Sequence, residues 1–324
     1  MKEPIQDVLA LFVHSTRLAT YPLLYHGASI QADHREENHN EDSYLVIPEK
    51  RLAIVFDGVG GLQKGKEIAT AAGQQLAKLT ASRFFRALNR AKDPEKVAQG
   101  LSKIITTTHT ALQQNPEFAD GESATTLTLV KLWKDKAIFA NVGDGRGYLY
   151  RNEQLEQVTV DDDIITEIFG DTDQAQRLKA KMNSVQSVSD FDLRPIKFEQ
   201  EFLFPQKNSS GDIVYEAKAE TTEEELFSLR NVVYQSIGRD LQHVQTTIRD
   251  VQSGDRIVLL SDGITDNLTT DEIKTILDEC QTRSPKDTTA TLIAAAKRKS
   301  REQRSINNIR SKNDDMTAVI VDVP

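Results

Sequence analysis

Five consecutive apolar residues, Leu52 to Phe56, end abruptly on Asp57 and Gly58, with Gly60 and Gly61 close behind. An unbroken apolar run of this kind, without alternation, predicts a strand covered on both faces. A carboxylate at the exit of such a strand is held by a rigid element and still reaches the surface. Glycines beside it let the backbone turn tightly and bring its own carbonyls close to whatever the carboxylate holds. An ordinary strand-to-turn Asp-Gly pair has the same pattern, so the rest of the chain has to decide between the two.

Ser43 to Ile47 reads as a second strand, and Pro48-Glu49-Lys50 turns it into the first, which predicts an antiparallel hairpin. The loop before it, Asp33 to Asp42, carries Asp33, Glu36, Glu37, Glu41 and Asp42. Antiparallel pairing puts the end of that loop beside the exit of Leu52–Phe56, so Glu41, Asp42 and Asp57 can share one site.

Further along, residues 66–89 read as one helix, and Asp93 with Pro94 opens a second that ends near Asn115-Pro116. His109, within that second helix, reads as a packing or surface residue rather than a ligand. Residues 123–132, 137–142 and 147–150 then read as three strands joined by short turns, a meander. From about Asp161 to Leu229 the chain loses clear strand pattern apart from a short helix near 174–182. This stretch includes an acidic run of Glu216, Glu220, Glu223, Glu224 and Glu225. Strands are expected again at 232–237, 244–248, 256–260 and 317–323. Thr269 and Glu272 have capping-box spacing before a helix to Cys280, and Ser284-Pro285 opens another reaching about Arg301. Residues 1–21 suggest only a short amphipathic segment packing on the body.

Four acidic positions repeat the arrangement of the first: Asp57, Asp144, Asp262 and Asp314 each stand beside an apolar strand at a turn. One Asp at a strand end is usually a turn residue; four of them favour a shared centre. Clustered carboxylates need cations at neutral pH, because like charges raise one another's pKa. An oxygen-only set suits hard ions such as Mg2+ or Mn2+. Gly60 to Lys66 also fits a phosphate-binding loop, but Glu67 follows where that motif needs Ser or Thr, and hairpins replace its parallel architecture.

Composition agrees with this direction. The 324 residues carry a net charge of −9, the opposite of the basic surplus a nucleic-acid binder shows. Cys280 is the single cysteine, which excludes an internal disulfide and a cysteine zinc site and points to a reducing compartment. No apolar run approaches membrane-helix length, and the N-terminus lacks signal-peptide character. The expectation is a cytoplasmic chain with no nucleic-acid or membrane partner, monomeric by default.

Five blocks in order now carry a resemblance: NED at 40–42, DGVGG at 57–61, VGDGRGYLY at 142–150, LLSDGITD at 259–266 and NDDMTAVIV at 313–321. Together they resemble the signature blocks of the metal-dependent protein serine/threonine phosphatases, the PPM or type 2C family, in its bacterial form. The resemblance covers about 27–323, with Arg230 to Gly238 similar to the segment leading out of the family's flap. It implies an α+β fold of two antiparallel sheets packed face to face as a sandwich, flanked by helix pairs on both sides, in a single domain with a flap at about 163–229. It implies two Mn2+ or Mg2+ ions and a third in bacterial-type members. Asp57 would bridge two metals with the Gly58 carbonyl on one; Asp262 and Asp314 would complete the other. Glu41 and Asp42 would hold metal-bound waters, and Asp144 with Asp262 the third ion. Arg35 is the expected phosphate-binding arginine, although it precedes Asp42 by seven residues where the family usually has five. Gly145 replaces a common Ser, Asp315 an Asn, and Val59 the His that follows Asp-Gly in many eukaryotic members; His39 reads either as its substitute or as a solvated loop histidine.

The function this implies is metal-dependent hydrolysis of phosphoserine or phosphothreonine in proteins, with a phosphoprotein as partner. A catalytically silent binding module and a phosphatase of small phosphate esters are the alternatives. The acidic run in 163–229 is expected either to favour basic substrates by charge complementarity or to be a disordered surface insertion.

Overall fold

The computed structural model describes residues 24–33, 39–59, 64–170, 172–207 and 213–324. The expected N-terminal segment 1–21, Arg35, and Gly60 and Gly61 lie outside these residues. In chain order the elements are β1 (Tyr25–Ile30), β2 (Ser43–Ile47), β3 (Leu52–Phe56), α1 (Gly65–Thr80), α2 (Arg83–Asn89) and α3 (Pro94–Gln113). Then come β4 (Leu127–Trp133), β5 (Lys136–Val142), β6 (Arg146–Arg151), β7 (Gln154–Gln157), α4 (Ile164–Phe169) and α5 (Asp173–Ser184). They are followed by β8 (Ile196–Lys207), β9 (Ile213–Thr221), α6 (Glu223–Ser228), β10 (Gln245–Asp250) and β11 (Arg256–Leu260). The chain closes with α7 (Asp262–Thr265), α8 (Thr270–Glu279), α9 (Pro285–Ser300) and β12 (Met316–Asp322).

Two five-stranded sheets, β1-β12-β11-β6-β7 and β10-β5-β4-β3-β2, form the centre, and every pairing is antiparallel. Alternate residues of β3 explain its unbroken apolar run. Ala53 and Val55 face the other sheet, in a cluster with Phe139, Ile257, Leu259 and Val319. Leu52, Ile54 and Phe56 face α1 and α3, packing with Ile68, Leu76, Leu101 and Ile105. On the far side Val258, Leu260 and Ile320 pack under α8 and α9 against Ile273, Leu277 and Leu292. The order of layers is therefore helix, sheet, sheet, helix, as expected. Antiparallel pairing throughout both sheets removes the parallel strands that a nucleotide-binding loop at Gly60–Lys66 requires.

Several expectations change. Residues 66–89 are two helices, because the Ser82 hydroxyl accepts the Phe85 N–H and starts α2 as a new helix. The strand expected from Ser123 begins only at Leu127; Thr125 instead bridges Gly58 on one side and Ile237 on the other. The three strands expected as a meander do not stay together. β4 and β5 pair, but β6 crosses to the other sheet and pairs with β11. Gly143, at φ +98°, makes that crossing, and a Cβ there would stand 2.7 Å from Thr126. Its N–H donates to Asp162 Oδ2 and its carbonyl accepts from Asn141 Nδ2. The strand expected at 232–237 is an extended connection with isolated bridges, and β10 starts at Gln245.

The weakly patterned region is folded. α4, α5, the β8–β9 hairpin and α6 enclose a cluster of Ile165, Leu178, Met182, Phe191, Phe204 and Phe227. Phe198 stacks on Phe204 and meets Phe169 and Phe202 edge-on. A polar run, Glu199-Gln200-Glu201, and a register shift between Lys197 and Phe202 interrupt the alternation in β8. Two-residue periodicity is therefore hard to read in the sequence there. The disordered-insertion alternative does not hold for the described residues.

Candidate metal centre

Topology gathers the acidic positions at one end of the sandwich. Asp42 precedes β2 and Asp57 follows β3, antiparallel partners whose start and end coincide. Asp262 follows β11 and Asp314 lies two residues before β12, related in the same way. Asp144 stands in the β5–β6 crossing between the two sheets.

The electrostatics report how close they come. Burial raises the Asp57 carboxyl well above its ordinary range, and Asp42, Asp262, Asp314 and Asp144 each raise it further. Asp42 is raised by burial and then by Asp315, against a 2.7 Å hydrogen bond from the Ser261 hydroxyl. Asp144 is raised by burial and by Asp262. For Asp262 burial is again the largest cause; Lys312 opposes it and Asp314 adds to it. Carboxyls that repel one another in a partly buried site are the condition a multivalent cation relieves.

Backbone contacts fix the first part of this site. The Asp57 carbonyl accepts from the Thr126 N–H at 2.8 Å and the Thr125 hydroxyl at 2.9 Å. The Gly58 N–H donates to the Glu41 carbonyl, tying the acidic loop to the exit of β3. A Cβ on Gly58 would meet the Gly65 backbone at 2.7 Å and the Glu41 carbonyl oxygen at 2.9 Å, so only glycine fits. His39 lies 3.6 Å from Glu41 Oε1 with its side chain half exposed. His109, as expected, packs, accepting the Gly238 N–H at Nδ1.

Two residues of the site went unassigned in the sequence. Asp315 accepts the Ala32 N–H at one oxygen and the Glu41 N–H at the other, both at 2.7 Å, and so anchors both ends of the acidic loop. It stands where the family usually has Asn, which carries one acceptor oxygen instead of two. Lys312 places its ammonium 2.6 Å from Asp262, 2.9 Å from Asp266 and 3.0 Å from Asp314. In a polar linker among other basic residues, nothing in the sequence distinguishes it. Among the described residues, no group of three His, Cys, Asp or Glu side chains is drawn tight enough to hold an ion as it stands. Asp262 and Asp314 instead close on Lys312. The all-oxygen donor set and the mutual repulsion of its members nevertheless fit hard divalent cations.

The folded insertion flanks this centre. Asp266, one turn beyond Asp262, pairs with Arg230 at the insertion's exit, and Arg146 beside Asp144 pairs with Asp161 at its entrance. The buried Arg310 donates to the Thr265 carbonyl on one side and to Val185 and Met182 carbonyls of the insertion on the other. The acidic run is less free than its sequence suggests. Glu223 pairs with Lys181 and Glu225 with Lys218, while Glu216 lies 3.7 Å from Lys218. Glu220 and Glu224 remain exposed.

The family model described as protein phosphatase 2C matches residues 31–296. A serine/threonine phosphatase stp from Listeria welshimeri is 32% identical over 142 residues, which cover 42% of this chain and 54% of that protein. The chain thus spans about half the length of the curated relatives it matches. The serine/threonine phosphatase Stp1 from Staphylococcus aureus superposes with a TM-score of 0.63 at 17% identity, over 93% of this chain and 95% of that one. The catalytic domain of the phosphatase PstP, solved with two manganese ions, gives 0.57 at 20% identity, over 92% and 96%. These structures share the fold, and the match over 31–296 carries the membership: this chain belongs to the protein phosphatase 2C family.

Proposed function

We propose that the chain is a divalent-metal-dependent protein serine/threonine phosphatase, one domain whose insertion at 163–229 borders the site. The observation that carries this reading is the convergence of Asp42, Asp57, Asp144 and Asp262, each raised by burial and by neighbouring carboxylates, with Asp314 among the groups that raise them. Asp57 and the Gly58 carbonyl would hold the first ion. Asp57 with Asp262 and Asp314 would hold the second, and Asp144 with Asp262 a third. Glu41 and Asp42 would position water around them. Manganese is the favoured ion, since a fold neighbour was solved with two of them; magnesium has the same ligand chemistry. Bound there, such ions supply a water nucleophile near neutral pH and offset charge on phosphoryl oxygens.

The chain's own residues supply placement. Asp315 holds Glu41 by its backbone and Ser261 orients Asp42. Arg35 would meet the substrate phosphate, and phosphoproteins are the substrate class. No described helix is long and apolar enough to cross a membrane, and we place the activity in the cytoplasm.

The test is hydrolysis of a phosphopeptide panel and of small phosphate esters by the purified chain, with Mn2+, with Mg2+ and after chelation. Turnover of phosphoserine or phosphothreonine peptides that needs added ion is expected. Full activity in chelator, or activity confined to small esters, would overturn the reading.

A further inference from the structure

Lys312 lies between two of the carboxylates assigned to the second ion. Its ammonium bonds Asp262 and Asp314, two of the three carboxylates assigned to that ion, and Asp266 besides. The arrangement is built rather than incidental. The Lys312 N–H donates to Asn267 Oδ1 at 2.9 Å and its carbonyl accepts from Asn267 Nδ2 at 2.8 Å. Asn267 itself is fully buried and its amide also donates to the Gly263 carbonyl beside Asp262. The side chain therefore leaves a clamped backbone, and its ammonium pairs with Asp262, Asp266 and Asp314.

We propose that Lys312 is a tethered competitor for the divalent ion on the Asp262–Asp314 side of the centre. Its single charge closes these carboxylates when no ion is bound, and the ion must displace the ammonium to reach them. The inference rests on the metal-centre reading above. A tethered group competes at an effective concentration set by its attachment, so it weakens the ion it opposes without touching the other. The same ammonium offsets carboxylate repulsion and keeps the metal-free fold closed.

The experiment is a Mn2+ titration by calorimetry, with bound Mn2+ counted by paramagnetic resonance, on the wild-type chain, Lys312→Met and Lys312→Gln. The ion on the Asp262–Asp314 side should bind at least about tenfold more tightly in both variants, while the ion on Asp57 and the Gly58 carbonyl changes by less than about threefold. The metal-free variants should melt below wild type, and their gain in melting temperature on adding Mn2+ should be larger. Equal tightening of both ions would show a general charge effect and overturn direct competition, as would unchanged or weaker affinity. Should the variants fail to fold, the wild type decides: its slowed Lys312 ammonium resonance should shift on Mg2+ binding, and an unmoved resonance would overturn the proposal. A wild-type chain that binds no Mn2+ at all would instead remove the metal-centre reading itself.

Discussion

Asp57 is held in a position that costs the metal-free protein stability. Its carboxyl is raised from an ordinary 3.8 by burial and by four neighbouring carboxylates. An acid whose folded pKa lies above its unfolded value binds more protons in the folded state. Stability therefore falls as pH rises from the unfolded pKa to the folded one, and the whole penalty is present above both. Asp57→Asn removes it. In chelator at pH 7 this variant should melt about 2 °C or more above wild type. The difference should shrink as pH is lowered towards 4. Mn2+ should stabilise the wild type and not the variant, and turnover should be lost. A variant that melts below wild type in chelator would refute the repulsion account. Asp262→Asn and Asp314→Asn should lose turnover as well, but they also break contacts to Lys312, so their stability reports two effects at once.

At the scale of an element, β4 carries an unusual burden. Lys131 is 2% exposed in the middle of a strand whose other residues are apolar except Thr128. Its ammonium donates to the Lys50 carbonyl and lies 5.0 Å from the centre of the Phe85 ring. Burial, with Arg51 and Lys50 adding, pushes its pKa down from 10.5 to about 8. A base with a lowered folded pKa is destabilising while it is charged in both states, below about 8. That penalty is relieved as pH rises from 8 to 10.5, where the unfolded chain still binds the proton. Lys131→Met should stabilise the protein by about 1–3 kcal/mol at pH 7, with the advantage declining steadily between pH 8 and 10.5. Denaturant titrations of both proteins across that range decide it. A variant less stable than wild type at pH 7 would mean that the Lys50 bond and the Phe85 contact outweigh the desolvation.

For the whole molecule, the question is how the insertion is coupled to the sandwich. Arg310 is the main fastener: fully buried, it joins Val185 and Met182 of the insertion to Thr265 of α7, with its guanidinium 5.6 Å from the Phe227 ring centre. Arg310→Met should leave three carbonyls without their donor, each costing about 1–3 kcal/mol. The loss should appear as local opening of the insertion before the sandwich yields. Limited proteolysis should then cut within 164–229 at least about tenfold faster than in wild type. An unchanged cleavage pattern would place the coupling elsewhere, in the Arg230–Asp266 and Arg146–Asp161 pairs.

Residue pattern alone disclosed the acidic positions and the strands covered on both faces, whereas the order of layers was implied only by the family resemblance. An apolar run buried on both faces requires cover on both, and β3, β11 and β12 show it in their composition alone. Caps announced their helices directly: Asp93 with Pro94, Thr269 with Glu272, and Ser284 with Pro285 stand where their helices begin. These signals are local, so periodicity and turn chemistry disclose them. Which sheet β6 joins emerges only from long-range packing, because a short turn is compatible with a hairpin or with a crossing, and Gly143 makes the crossing. The insertion was illegible for a related reason. Its strands lean on a small aromatic cluster through an irregular register, so no regular period survives in the sequence. Asp315 and Lys312 act across 274 and 50 residues of chain. Their partners are supplied by the antiparallel return of β12 beside β11, and no local pattern carries a contact that only that return creates.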